Sequence, residues 1–152
     1  MYAKDAMRTH ISTANIHENV QDVIERMRES HHRMLPVVDQ DGVVQGELST
    51  TSIIHHIIPD YILHGDLKDV SYAPDISFLQ KHYNESMKQK VIDVMDAKPH
   101  AVHQNKSLLC VASELLRVST HGYLLVVDDN HVLLGIISTG DILNALSSTL
   151  EK

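Results

Sequence analysis

Ser138, Thr139, Gly140 and Asp141 stand together in the phrase GIISTGDIL, residues 135–143. Apolar β-branched residues lead into two hydroxyls, a glycine and an acid, the order expected where a strand runs into a helix. Free N–H groups and the positive end of the dipole at such a helix start favour an anion. A carboxylate one turn in can accept two hydrogen bonds from a vicinal diol. Gly135, at the end of the strand, lets a ligand approach closely. Ser138 and Asp141 are equally spaced as a capping box, in which two side chains satisfy the first N–H groups of the helix itself. The two roles are compatible. A second phrase, GELSTTSII at residues 46–54, keeps the hydroxyl as Ser49 but holds Ser52 where the other holds its acid. Ser52 is expected to complete a capping box poorly.

Other reactive side chains are less organised. The chain has twelve histidines, yet the doublets His31-His32 and His55-His56 are adjacent, so their side chains diverge, and His100-x-x-His103 falls on an expected strand, where alternate residues oppose. No dedicated metal site is expected. Ser138 with His121 lacks the spacing of an acid–base–nucleophile set, and no enzymatic activity is expected. Cys110 lies among apolar residues and is expected to be a buried, inert thiol. Arg33 and Lys98 are placed to reach phosphates across a repeat boundary or to stand as solvated surface.

The elements that must position these residues come from a duplication. Residues 33–53 and 122–142 align at an offset of 89 with nine identities in 21 positions, Leu35, Val37, Val38, Asp39, Val43, Gly46, Ser49, Thr50 and Ile53 recurring in the second copy. KDAM at 4–7 answers IDVM at 92–95. Val20, Val23, Ile24 and Met27 mark an amphipathic helix, as do Leu108, Val111, Ala112 and Leu115. Asp41-Gly42 between two apolar runs predicts a tight hairpin; in the second copy Asn130 takes the left-handed position. Each unit reads β-α-β-β-α, with first strands near Ile11–Ile16 and His100–His103. The domains are then 1–58, a connector over 59–90, and 91–152. Pro59, Gly65 and Pro74 punctuate the connector, and Ile76, Leu79, Tyr83 and Met87 form a helical stripe within it.

Composition narrows the class. Hydrophobic residues make up 43% and charged residues 22% of 152, an ordinary globular balance. The net charge of −7, with no Lys/Arg run, excludes nucleic acid as the main partner. No apolar stretch reaches the length of a membrane span or a signal peptide. One cysteine allows no disulfide framework, and a cytoplasmic location is expected.

LPVVDQDGVVQGELSTTSII and LLVVDDNHVLLGIISTGDIL, each preceded by an amphipathic helix and a D-x-M segment, resemble a tandem pair of CBS (cystathionine β-synthase) domains, together a Bateman module. The resemblance implies an α/β (α+β) fold of two pseudo-symmetric repeats packed through their sheets, commonly assembled as a flat homodimer. It implies a regulatory sensor that needs no cofactor and binds AMP, ADP, ATP, S-adenosylmethionine or an NAD-type molecule between the repeats. The hydroxyl then lies near the phosphates and the acid takes the ribose, here Ser138 and Asp141. The base would meet Lys98, Pro99, His100, Ala101 and Val102, then Tyr123, Leu124, Leu125 and Ile137. A weaker second site would comprise Ser49, Ser52, Met34, Leu35, Pro36 and Ile11. Gly122 and Tyr123 stand where this family often has a basic residue, which favours an alternative, a ligand-free oligomerisation or interaction module. Because the chain starts and ends at the repeat boundaries, regulation is expected to act in trans on a separate effector protein, unless the chain is a fragment.

Overall fold

The computed structural model describes residues 1–65, 76–118 and 121–150. In chain order the elements are α1 (Ala3–Ala6), β1 (Ala14–Asn15), α2 (Val20–Glu29), β2 (Met34–Val38), β3 (Val44–Ser49), α3 (Thr50–Ile57), α4 (Asp60–Leu63), α5 (Ile76–Met87), α6 (Val91–Val94), β4 (Ala101–His103), α7 (Leu108–Val118), β5 (Tyr123–Val127), β6 (Leu133–Ser138) and α8 (Thr139–Leu150). They form two three-stranded sheets, ordered β1-β2-β3 and β4-β5-β6. In each, the first pair is parallel and the second antiparallel. This is the mixed α+β pair of repeats that the duplication implies.

Local chemistry explains the hairpins. The Asp39 carboxylate accepts from the N–H groups of Asp41 and Val43, and Asp128 accepts from Asn130 and Val132. Each aspartate thus closes its own turn. The left-handed residue is Gly42 in the first turn and His131 in the second, with φ of 80° and 63°. Asn130 therefore does not take that position as expected. Aligned turns place the strain on the residue matching Gly42, and the aspartate bonds hold even a histidine there.

Helices cover the outer face of each sheet. Val20, Val23 and Met27 of α2 pack with Leu35, Val37 and Leu48, while Val111 and Leu115 of α7 pack with Leu124, Val126 and Ile137. Cys110 is exposed, because it lies off the stripe that α7 turns inward; the expectation of a buried thiol is corrected. The inner faces meet through Met34, Val44, Leu125 and Val127. The short helices are exchanged. Val91 and Val94 of α6 complete the first repeat's core, and Ala3 of α1 completes the second's.

The exchange is visible in the bridges between repeats. Arg8 pairs with Ile136 and Asp96 with Glu47; Tyr2 pairs with Ser107 and Lys90 with Asn19; Val43 pairs with Val132. Under the internal alignment the first two are mates, the next two are mates, and the last is its own mate, so the pseudo-two-fold axis passes near Val43 and Val132. Gly135 has its reason here. A Cβ on it would come 2.6 Å from the Arg8 carbonyl oxygen, so the close approach is made by the other repeat's backbone rather than by a ligand. Gly46 stands equivalently against the Asp96 carbonyl.

In the connector, α5 carries the expected stripe, but only Met87 is seated in the first core; Ile76 is 76% exposed. Pro74 lies outside the described residues. β1 is shorter than expected, since Arg8 pairs with Ile136 of the other repeat before the strand begins. No helix among the described residues is long and apolar enough to cross a membrane.

Candidate ligand-binding clefts

Sheet order decides which side chains can meet. β5 separates β4 from β6, so residues 98–102 and the Ser138–Asp141 helix start lie at opposite edges of one sheet. The free edge of β6 instead receives Arg8 of the first repeat, with backbone bonds of 2.8 and 3.0 Å between Arg8 and Ile136. The edge of β3 likewise receives Asp96, with bonds of 2.9 Å to Glu47. The helix start of each repeat therefore faces the strand entry of the other.

The first cleft is a cavity of about 740 Å³, within the ~300–1,000 Å³ range of small-molecule sites. Ile11, Met34, Leu35 and Pro36 line it from the first repeat, and Tyr123 and Ile136 from the second. Arg8, Arg33, His10, His31, His32 and His121 also line it, and among the described residues no Asp or Glu does. Arg33 makes no side-chain hydrogen bond or ion pair among the described residues. Arg8 stands with its guanidinium carbon 5.6 Å from the Tyr123 ring centroid, a cation–π distance. Its Nε lies 3.1 Å from both Asp141 oxygens. Asp141 also accepts from the Ser138 N–H and hydroxyl at 2.8 Å, while the Asp141 N–H donates to Ser138 Oγ at 3.3 Å. The capping box is thus formed, and Asp141 sits through Arg8 at the rim of this cleft.

The second cleft, about 600 Å³, is lined by Ser49, Ser52, Thr51, His55, His56, Asp96 and His121, with Val94 and Met95. Ser49 and Ser52 form a complete capping box, each hydroxyl taking the other's backbone N–H at 2.8–2.9 Å. The expectation that Ser52 caps poorly is corrected: a hydroxyl reaches the N-cap as well as a carboxylate does. His121 lines both cavities and stands 3.4 Å from the buried Glu47 carboxylate. Burial raises the Glu47 pKa above the ordinary value; nearby His121 pulls it down and Asp96 pushes it up.

The remaining expected site residues are spread. Val102, Leu124 and Ile137 turn into the second helix-side core, and Leu125, with Ala101 against it, into the inter-sheet core. Lys98 and His100 are exposed; the Lys98 N–H bonds the Asp96 carboxylate at 2.9 Å. Thr139 and Gly140 are exposed at the start of α8. Arg8, His10, Glu47, Asp96 and Ile136 were not singled out by their spacing. The available signal was charge mismatch in the internal alignment, where Arg8 answers Asp96 and Glu47 answers Ile136.

A family model described as CBS domain matches residues 3–59 and 91–148. A CBS domain-containing protein of Dictyostelium discoideum is 26% identical over 97% of this chain and 92% of its own. Among solved structures, the CBS-pair protein CBSX2 from Arabidopsis thaliana is 24% identical with a TM-score of 0.71, covering 99% of this chain and 97% of its own. A structure of CBSX2 in complex with AMP is 23% identical, with a TM-score of 0.71 and coverage of 99% and 98%. At these identities the structures speak for the fold. With both repeats matched and the fold shared along its length, the chain belongs to the CBS domain family as a tandem pair, a Bateman module.

Proposed function

We propose that this CBS pair is a regulatory module that binds an adenosine-containing ligand, one per chain, in the first cleft and acts in trans on an effector protein, without chemistry of its own. The carrying observation is the 740 Å³ cavity that joins apolar Ile11, Leu35, Pro36 and Ile136 to Arg8 and Arg33, with no carboxylate among the described lining residues. A purine wants flat apolar walls, and the guanidinium groups suit phosphate oxygens. Asp141 at the rim is the candidate for the ribose hydroxyls. That CBSX2 has been captured with AMP is in keeping with this class of ligand. The module is further proposed to be a homodimer, because Leu109 and Leu116 on α7 and Leu143 and Leu150 on α8 are 67–89% exposed. A second copy presenting the same face would cover them.

A ligand-free interaction module is the second reading. It is favoured by the Arg8–Asp141 pair, which already occupies the acid. A thermal-shift panel of AMP, ADP, ATP, S-adenosylmethionine and NAD separates the two. A ligand at a hundred times its Kd stabilises the fold by about 2.7 kcal/mol, so at least one member should raise Tm in a saturable way. A flat response to the whole panel would leave the interaction reading.

A further inference from the structure

The two clefts differ most at positions that the pseudo-symmetry makes equivalent. Where the first cleft has Arg8 bridged to Ile136, the second has Asp96 bridged to Glu47. Among the described residues, the first is lined by two arginines and no acid, and the second by Asp96 and no lysine or arginine. Of its imidazoles, His121 stands 3.4 Å from the Glu47 carboxylate, and His56 Nε2 lies 2.9 Å from Gln89 Oε1. At its helix start the Ser49 hydroxyl already accepts the Ser52 N–H, so that donor is not offered to a ligand. An anion entering the second cleft meets the like charge of the exposed Asp96 carboxylate, with no lysine or arginine among the described lining residues to offset it. An anion entering the first meets Arg33, whose side chain has no partner among the described residues.

We propose that the duplication has been sorted by charge: the Arg8–Arg33 cleft takes a phosphate-bearing ligand, and the Glu47–Asp96 cleft excludes phosphate. The sorting explains why the acid of the repeated phrase is present only as Asp141. In the second repeat that acid faces Arg8; at position 52 it would share a cavity with Asp96. That the phosphate bearer is a nucleotide rests on the preceding proposal; the sorting does not.

The test uses inorganic tripolyphosphate as the probe on the full chain, followed by amide NMR, with adenosine and ATP titrated in parallel. Tripolyphosphate should shift Arg8, His32, Arg33 and Met34, leave Ser49, Ser52 and Asp96 in place, and saturate at one per chain. Arg33→Ala should weaken it about tenfold or more, the worth of a charge-assisted hydrogen bond. The double variant Glu47→Ile with Asp96→Arg should gain a second tripolyphosphate. If that variant does not fold, Asp96→Asn, which can still accept the Lys98 N–H, should admit weak shifts at Ser49 and Ser52. Equal shifts at both clefts of the wild type, shifts confined to the Asp96 cleft, or no binding would overturn the sorting. Tripolyphosphate bound as expected, with adenosine and ATP leaving Ile11 and Leu35 unmoved, would keep the sorting and remove the nucleotide.

Discussion

Arg8 and Asp141, 133 positions apart, meet at 3.1 Å across the boundary between the repeats. The Arg8 side chain is 50% exposed and that of Asp141 10%, so the pair itself contributes little in water. Its value is positional: it ties the second helix start to the first cleft. Asp141→Ala should cost about 0.5–1 kcal/mol of stability as a lost cap partner. If Asp141 also holds the ribose, the folded variant should lose roughly 10- to 150-fold in ligand affinity. Titration with the best ligand decides, and unchanged affinity would leave Asp141 as helix-start chemistry alone.

Ser52→Asp should not create a second site. The new carboxylate enters a cavity already lined by Asp96, with Glu47 beside it. Calorimetric stoichiometry should stay at one ligand per chain; a rise to two in the single variant would show that the acid alone had been missing.

Gly135→Ala should destabilise by about 1–3 kcal/mol, the usual cost of overpacking, because its Cβ would sit 2.6 Å from the Arg8 carbonyl oxygen and 2.9 Å from Met7 Sδ. Gly140→Ala is the control, since its nearest neighbour would be Ser138 Oγ at 3.7 Å. Denaturant melts that place the two variants together would contradict the crossing segment as the reason for Gly135.

Glu47→Gln should change how stability depends on pH. The fold raises the Glu47 pKa, so its contribution to stability is fully present below the ordinary value of 4.5 and lost as pH climbs through the raised value. The Gln variant lacks this loss. Its Tm should match the wild type below pH 4.5 and exceed it as pH climbs through the raised value, the His121 attraction offsetting part of the gain. Parallel curves would mean that burial is not what governs Glu47.

Leu109→Glu with Leu116→Glu should convert a homodimer to a monomer without unfolding it, because both side chains are over 80% exposed in the single chain. Sedimentation checks the mass and circular dichroism the fold; an unchanged dimer would move the interface elsewhere.

The sequence by itself determined what is local or repeated. Helix stripes such as Val20, Val23 and Met27 follow from a period of 3.6, hairpins from an aspartate and a left-handed residue, and the two repeats from identity at fixed offset. The Ser138–Asp141 cap was legible because its bonds span three residues. Even locally, a stripe alone did not seat Ile76, which needs a neighbour to bury it. What only the tertiary structure decided is who faces whom. The family resemblance set Asp141 beside residues 98–102, whereas the sheet order sends each strand entry to the other repeat and brings Arg8 to Asp141 and Asp96 to Glu47. Such contacts join residues far apart in the chain, and they are fixed by which sheet edge is free and which glycine leaves room for a carbonyl. No one-dimensional pattern carries that information, and the charge difference between the clefts arises from it.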